Sequence, residues 1–217
     1  MSCPIVVLIS GSGSNLQALI DQSLQGKLDV EIKAVISNKA DAFGLERAKK
    51  ANIPNHALSH KEFESREAFD LALQELIDQY QPKLVVLAGF MRILTETFTQ
   101  HYEGRMLNIH PSLLPKFKGL NTHQRAIDAQ EAEHGVSVHF VSSELDAGAV
   151  ILQASTPIAA TDNADSLAQK VHALEHVIYP LAVKWFSEER LILQQGKALL
   201  DGETLEETGV RYHQGLN

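Results

Sequence analysis

Cysteine and long apolar runs are scarce in this sequence of 217 residues. The single cysteine, Cys3, excludes an internal disulfide and a thiolate metal site, which is typical of a protein in a reducing compartment. No run approaches the roughly 20 apolar residues of a membrane-spanning helix. The apolar segment at residues 4–9 is too short for a signal peptide and has nothing basic before it. We therefore expect a cytoplasmic protein with no membrane partner.

Positive charge is also in the minority, with 19 Lys and Arg against 27 Asp and Glu and a formal net charge of −8. This balance argues against nucleic acid or an anionic lipid surface as the main partner. It leaves room for an anionic small molecule, because one local pocket of basic groups or amides is enough to bind it. The hydrophobic share of 44% is that of a globular protein with a core, and the length suits one large domain or two small ones.

Short apolar segments rich in β-branched residues alternate with amphipathic segments along the chain. Strands are predicted at residues 5–10, 30–37, 84–88, 106–110, 136–141 and 150–156, and helices at 16–24, 43–52, 64–80, 95–101, 123–129 and 164–189. The alternation predicts an α/β fold, with an open, mostly parallel sheet and helices on both faces. The turn at residues 146–148 is too short for a parallel crossover, so the sheet is predicted to be mixed at one side. We predict a single domain over residues 1–195 and a loosely packed C-terminal tail over residues 196–217.

A glycine-rich segment, Gly-Ser-Gly-Ser-Asn at residues 11–15, separates the first predicted strand from the first helix. Ligands of open α/β sheets bind at the carboxyl ends of strands, and free N–H groups at a helix N-terminus bind anions. A dinucleotide site would need a third glycine where Leu16 stands and an acid where Ser37-Asn38-Lys39 stands. A phosphate monoester therefore fits better than NAD. The glycines alone are equally compatible with a tight turn that binds nothing.

Two polar side chains interrupt the predicted strand Met-Leu-Asn-Ile-His at residues 106–110. Asn108 and His110 are two positions apart, so they share a face of the strand. An imidazole moves protons near neutral pH, and a carboxamide N–H donates to a developing oxyanion. Asp146, in the turn Asp-Ala-Gly, is the best candidate for the carboxylate that orients the imidazole. Taken alone, a pair such as Asn108 and His110 more commonly satisfies backbone groups at a strand end.

The other histidines divide unevenly. His139 shares a predicted strand with Ser137 and Val141, and we expect it to support the catalytic groups without touching substrate. His172 and His176 are four residues apart on the closing helix, which suits a metal ligand pair. No HExxH-type pattern accompanies them, so we expect no metal.

Several long motifs make the sequence recognisable. In order along the chain they are SGSGSNLQALI, SNKADAFGLERAKKANI, VVLAGFMRIL, LNIHPSLLPKFKGLNTHQRAI, EHGVSVHFVSSELDAGAVILQA and LEHVIYPLAVKWF. Together they resemble the phosphoribosylglycinamide formyltransferase family from the first strand to about residue 201. The resemblance implies a formyltransferase-like variant of the Rossmann fold. It implies transfer of the formyl group of 10-formyltetrahydrofolate, as co-substrate, to the amine of glycinamide ribonucleotide in de novo purine biosynthesis, without a metal.

The resemblance also implies roles for individual positions, and Asn108, His110 and Asp146 match the family's catalytic residues. One departure concerns His172, where some relatives carry glutamine. The ribonucleotide-binding positions implied are Gly13, Ser14, Asn15, His172 and Glu175. The folate-binding positions implied are Arg66, Met91, Arg92, Ile93, Leu94, Ser142, Ser143, Glu144 and Leu145, together with Asn108 and Asp146.

Four other functions compete with this interpretation. Formyltetrahydrofolate deformylases resemble a chain with an added N-terminal module, for which the first strand at residue 5 leaves no room. Methionyl-tRNA formyltransferases carry a C-terminal RNA-binding domain, which this acidic chain is too short to hold. A non-catalytic phosphate-binding module would explain the glycine segment but not Asn108, His110 and Asp146, and a nicotinamide oxidoreductase is disfavoured by Leu16. We expect only small-molecule substrates as partners and either a monomer or a weak homodimer.

Overall fold

The first strand, β1, consists of the seven residues Cys3–Ile9, and every side chain from Ile5 to Ile9 is fully buried. Such a continuous apolar run is typical of a parallel strand covered on both faces. The structure is a computed structural model that describes residues 2–216. It divides into two compact units between Asn108 and Ile109.

The first unit contains five parallel strands and four helices. After β1 come α1 (Ser14–Leu24), β2 (Val30–Ser37), α2 (Phe43–Lys50), β3 (Asn55–Ala57), α3 (Arg66–Asp78), β4 (Leu84–Leu87), α4 (Glu96–His101) and β5 (Met106–His110). The strand order is β5-β4-β1-β2-β3, and each neighbouring pair is parallel. A short 3-10 turn, His60–Glu62, precedes α3. All strands but the three-residue β3 were expected from the sequence.

The strand order of this unit reverses between β1 and β4. From β1 the chain moves outward to β2 and β3, and then returns to the other side of β1 to form β4 and β5. Right-handed crossovers in opposite directions place their helices on opposite faces of a sheet. Accordingly α1 packs with α2, and α3 packs with α4. The reversal opens a crevice at the carboxyl ends of β1 and β4, where ligands of this fold class bind.

The register brings the carboxyl ends of the strands to one level. Leu8 of β1 pairs with Leu87 of β4, and Leu87 pairs in turn with Asn108 of β5. Ile9 pairs with Ser37 at the end of β2. Asn108, half-buried, therefore lies in the last row of the parallel strands, next to the loops that follow them.

The second unit is built on an antiparallel pair, β6 (Glu133–Phe140) and β7 (Val150–Pro157), preceded by helix α5 (Thr122–Asp128). The long helix α6 (Ala164–Ser187) packs on both strands. Its first turn is closed by a capping box between Asn163 and Ser166. The expected mostly parallel, mixed sheet is confirmed, since the antiparallel pair occurs where the short turn predicted it.

Beyond α6 the structure adds strands that the sequence did not predict. β8 (Leu191–Gln194), β9 (Lys197–Leu200) and β10 (Glu203–Thr204) form a three-stranded antiparallel sheet. β11 (Val210–Arg211) pairs in parallel with β7, and Gly209 approaches β7 so closely that a Cβ would lie 2.5 Å from a carbonyl of Ile151. The domain boundary at residue 195 and the loose packing of the tail stay predictions. No helix within residues 2–216 is long and apolar enough to cross a membrane.

Candidate active site

The loop after β1 is fastened to the first turn of α2. Gly44 N–H donates to the carbonyl of Gly11 at 3.0 Å, and Arg47 Nε–H donates to the carbonyl of Ser12 at 2.8 Å. In a trans peptide the carbonyl and the following N–H point in opposite directions. Because both carbonyls face α2, the N–H groups of Ser12 and Gly13 are aimed away from it. Consecutive backbone amides aimed to the same side of a loop can bind an anion.

Gly13 completes this loop as the N-cap of α1, in the left-handed region at φ 70°. Its carbonyl accepts the first helical hydrogen bond, from Gln17 N–H at 2.9 Å. A Cβ on Gly13 would lie 2.6 Å from Cα of Gly44, so both the φ angle and the close approach require glycine. Ser14 begins the helix and Asn15 is buried in its first turn. The predicted positions Gly13, Ser14 and Asn15 thus come together at a helix N-terminus.

A buried hydrogen-bond network joins the loops that follow three strands. Ser10 Oγ donates to Asn38 Oδ1 at 2.5 Å and accepts from the N–H of Met91 at 2.7 Å. Ser10 and Asn38 are both buried. In the sequence, Asn38 stands where a dinucleotide site would need an acid. In the structure Asn38 accepts from the Ser10 hydroxyl, which itself accepts from Met91 N–H at the start of the segment after β4.

That segment, residues 91–94, presents apolar side chains to solvent. Met91 and Ile93 are 59% and 56% exposed, whereas Leu94 is buried. The guanidinium of Arg92 lies 5.9 Å from the ring centre of Phe69 on α3. Exposed apolar side chains beside a cation suit a ligand with both an aromatic part and a negative charge.

Asp70 fixes the far end of the same segment from inside α3. Its Oδ2 accepts from the N–H of Thr95 at 2.6 Å, and the carboxylate is almost fully buried. Burial raises the pKa of Asp70, while hydrogen bonds from Thr95 and the charges of Arg66 and Arg92 act in the opposite direction. Arg66 and Arg92 thus both act electrostatically on the carboxylate of Asp70, and their proposed contacts with folate stay predictions.

In the second unit, His110 and Asp146 form a buried ion-pair contact. His110 Nδ1 lies 3.4 Å from Asp146 Oδ2, and the two residues are 6% and 8% exposed. His110 Nε2–H donates to the carbonyl of Phe117 at 2.9 Å. Both ring nitrogens face acceptors, an arrangement that a doubly protonated imidazole satisfies at both ends and a neutral one at only one. The predicted partnership of His110 with Asp146 is thus present in the structure.

Asp146 is held in place by its backbone and by a second hydrogen bond. It adopts a positive φ of 49°, which aspartate tolerates better than most residues. Its Oδ2 accepts from the N–H of Gly119 at 2.9 Å. The next glycine of the turn, Gly148, packs against β6 so tightly that a Cβ would lie 1.8 Å from the carbonyl of Phe140.

His139 lies on the other side of the same carboxylate and stays neutral. Its Nδ1–H donates to the carbonyl of Phe140 at 2.8 Å, and its Nε2 is 3.9 Å from Asp146 Oδ1. Complete burial lowers the pKa of His139 to about 4, against the raising effect of Asp146. His139 is therefore neutral at pH 7, and the shorter contact of the Asp146 carboxylate is with His110.

The remaining predicted folate positions of this unit follow β6. Ser142 Oγ donates to the carbonyl of Glu144 at 3.1 Å, which curls the segment before Asp146. Lys118 reaches Glu144 with a 3.2 Å ion pair, and Leu145 is half exposed. Ser143 lies in the same segment and is exposed.

The two predicted positions on α6 differ in their surroundings. Glu175 is buried, whereas His172 is exposed and stacks on His176 with ring centres 6.4 Å apart. Within residues 2–216 no three His, Cys, Asp or Glu side chains are arranged to hold a metal ion.

A second histidine pair lies nearby in sequence. His123 Nδ1 and His134 Nε2 are 3.1 Å apart, so one ring donates an N–H and the other accepts it. Burial is the largest cause that lowers the pKa of both rings, that of His134 to about 4. The charges of His172 and His110 also lower the pKa of His123, and those of His123 and His110 lower the pKa of His134. The pair is therefore neutral at pH 7.

We expect this pair to make stability depend on pH. A histidine of the unfolded chain titrates near 6.5, so the unfolded state binds more protons than the folded state between about pH 4 and 6.5. The free energy of unfolding is therefore highest above pH 6.5. It decreases as the pH falls toward 4, by up to about 3 kcal/mol for His134. Urea unfolding at several pH values should show a smaller slope of stability against pH in His134→Gln than in wild type. An unchanged slope would refute this expectation, and His213→Gln at an exposed site is the control.

Several residues that hold these segments in place were not predicted from the sequence, among them Ser10, Gly44, Arg47 and Asp70. Each of them makes a hydrogen bond to a segment that is distant in sequence. Apart from Asp70, these residues lie inside the motifs that carry the family resemblance. No other feature of the sequence marked them.

Known proteins share both the sequence and the fold. The formyl transferase family profile matches residues 3–183. The phosphoribosylglycinamide formyltransferase of Escherichia coli (strain K12) is 55% identical over 94% of this chain and 97% of its own length. That of Haemophilus influenzae is 49% identical over the same shares. The structure of the Coxiella burnetii phosphoribosylglycinamide formyltransferase superposes with a TM-score of 0.95 at 54% identity, covering 98% of this chain and all of that one. The resemblance inferred from the motifs is confirmed, and the chain belongs to the phosphoribosylglycinamide formyltransferase family.

Proposed function

We propose that the protein transfers the formyl group of 10-formyltetrahydrofolate to the amine of glycinamide ribonucleotide, a step of de novo purine biosynthesis. The observation that carries the proposal is the buried contact between His110 and Asp146, found on the residues where the family has its catalytic pair. Such a contact has no use in a module that only binds phosphate.

The ribonucleotide phosphate binds at the start of α1. The N–H groups of Ser12, Gly13 and Ser14 and the hydroxyl of Ser14 supply donors, and the helix N-terminus adds a favourable dipole. On α6, buried Glu175 accepts from the glycinamide amine. His172 supplies an imidazole N–H where some relatives have a glutamine amide, so it can donate to a ribose hydroxyl.

The residues of both folate segments fit 10-formyltetrahydrofolate. Exposed Met91 and Ile93 with Leu94 offer apolar surface to its ring, as does Leu145 within residues 142–146. Arg66 and Arg92 offer charge to its carboxylates. When bound, this co-substrate supplies the formyl group, and no metal is called on.

The polar side chains of β5 stabilise the negative charge that develops on the formyl oxygen and transfer the proton of the attacking nitrogen. The amide N–H of Asn108 donates to the formyl oxygen as negative charge develops there. Asp146 keeps the imidazole of His110 oriented and balances its positive charge. His110 then moves a proton from the attacking nitrogen to the departing nitrogen, directly or through a water. To do so, His110 Nε2 exchanges its present acceptor, the carbonyl of Phe117, for the reacting groups.

The absorbance change on release of tetrahydrofolate tests this function. The purified protein should produce it only when both glycinamide ribonucleotide and 10-formyltetrahydrofolate are present. Release of formate from the cofactor alone would instead support a deformylase. Ribonucleotide binding without turnover would support a phosphate-binding module.

Gly13→Ala should weaken ribonucleotide binding with a smaller effect on folate binding. The new Cβ lies 2.6 Å from Cα of Gly44 in a left-handed conformation, so the loop must shift. Strain of this kind costs about 1–3 kcal/mol, which corresponds to roughly a 10- to 100-fold rise in KM for the ribonucleotide. Gly26→Ala, at a positive φ with open space around it, is the control for backbone strain alone. Equal KM values in wild type and Gly13→Ala would contradict the placement of the phosphate.

We also propose that the protein is a monomer or a weak homodimer that uses only small-molecule substrates. Light scattering coupled to size exclusion, over a range of concentrations, should give a mass at or near 23.9 kDa at low concentration. A stable larger assembly would contradict this proposal.

A further inference from the structure

Arg47 on α2 is a half-buried cation whose hydrogen bonds within residues 2–216 go to neutral oxygens. Nε–H donates to the carbonyl of Ser12 at 2.8 Å, and Nη1–H donates to Gln17 Oε1 at 3.1 Å. Among residues 2–216 no carboxylate pairs with it directly. Asp21 is reached only through Gln17, whose Nε2 donates to Asp21 Oδ1 at 2.8 Å. A full positive charge thus lies against the phosphate loop without a carboxylate to neutralise it.

The guanidinium makes contacts with the loop, with α1 and with α2. It lies 5.0 Å from the ring centre of Phe43, within the range of a cation–π contact. Its Cδ would be only 3.4 Å from a Cβ built on Gly13. Arg47 therefore packs on the loop itself, between the N-terminal turns of α1 and α2. Rigid placement matters because an oriented charge and hydrogen bond lose little entropy when a ligand binds.

We propose that Arg47 is a positioning residue that sets the preference for a phosphorylated acceptor. Its Nε–H holds the carbonyl of Ser12 toward α2, which aims the N–H of Gly13 at the phosphate. Its unpaired charge favours a dianion at the same loop. The N–H of Gly44 holds the carbonyl of Gly11 toward α2 in the same way, but Gly44 carries no charge. This inference rests on the proposed function, because it assumes that the loop binds the ribonucleotide phosphate.

The test compares two acceptors, glycinamide ribonucleotide and its dephosphorylated riboside, in steady-state kinetics. Arg47→Gln should raise KM for the ribonucleotide roughly 10- to 100-fold, the effect of losing one charge-assisted hydrogen bond, with kcat nearly unchanged. For the riboside, kcat/KM should hardly change, so the preference for phosphate falls. Arg47→Lys retains the charge but not the planar Nε–H, and should lie between wild type and Arg47→Gln.

Lys50→Gln removes a charge from the same helix without touching the loop and should behave as wild type. If Arg47→Gln weakens both acceptors equally, or neither, the inference is overturned. Calorimetric titration with the ribonucleotide measures the same loss of affinity without turnover. Should Arg47→Gln fail to fold, Arg47→Lys decides alone: a wild-type preference for phosphate overturns the inference. A wild-type enzyme that does not use the ribonucleotide at all would instead refute the proposed function.

Discussion

Asp146→Asn is expected to lower kcat for formyl transfer about 10³- to 10⁴-fold, the loss seen when a carboxylate that orients a catalytic imidazole becomes an amide. This expectation follows from the contacts of the Asp146 carboxylate with Gly119 and His110. The amide oxygen of the substituted side chain could still accept from the N–H of Gly119, so the loop and the fold should survive. The charge that faces His110 Nδ1 at 3.4 Å would be gone.

The surroundings of this carboxylate make the loss hard to replace. His139 is neutral and its Nε2 is 3.9 Å from Asp146, so it offers no substitute charge. Lys118 pairs with Glu144 rather than with Asp146. His110 would keep its acceptor at Phe117 but would lose the carboxylate that faces its Nδ1. Proton transfer should therefore suffer while KM for either substrate changes little.

Rapid-mix kinetics with saturating substrates measure the effect, and near-ultraviolet circular dichroism shows whether the variant keeps its packing. Asp128→Asn, at an exposed carboxylate on α5, is the matched control and should retain full turnover. If a folded Asp146→Asn protein turned over at the wild-type rate, the orienting role of Asp146 would be wrong.

Local patterns explain why much of the fold was predictable. β1 and β5 are short, apolar and bounded by turn residues, and their predicted positions agree with the structure to within two residues. The glycine segment after β1 and the polar positions of β5 are local signals as well. Asp146 could be nominated because it sits in a turn with glycine.

Contacts between distant segments explain what was not predictable. Arg47 meets the carbonyl of Ser12 across 35 positions, and Ser10 meets the N–H of Met91 across 81. The periodicity of apolar residues along the sequence does not indicate such a contact. Asp70 lies on the buried side of α3, where its polarity argues for exposure until its bond to Thr95 is seen. The strands after α6 have only two to four residues each, too few for an alternating pattern to be recognised.

The negative net charge of the chain does not describe the charge at the proposed binding sites. The chain has a net charge of −8, yet the proposed ligands carry a phosphate and carboxylates. Arg47 beside the loop after β1, and Arg66 and Arg92 beside the apolar segment, supply positive charge where these anions are proposed to bind. Net charge thus reports on partners as large as nucleic acids, but it does not report on a pocket of this size.

Asn108→Ala should lower kcat about 10²- to 10³-fold, the usual cost of removing one donor from a developing oxyanion. Asn108 lies in the last row of the parallel strands, in register with Leu87, so its amide is positioned by the sheet rather than by a flexible loop. Asn108→Asp separates a catalytic donor from a structural role, because it keeps the shape of the side chain and replaces the donor with a negative charge. A structural residue would tolerate aspartate better than alanine. An oxyanion donor would not, and Asn108→Asp should be at least as slow as Asn108→Ala at neutral pH. Single-turnover rates of the two variants decide the matter, and an aspartate variant close to wild type would exclude oxyanion stabilisation by this side chain.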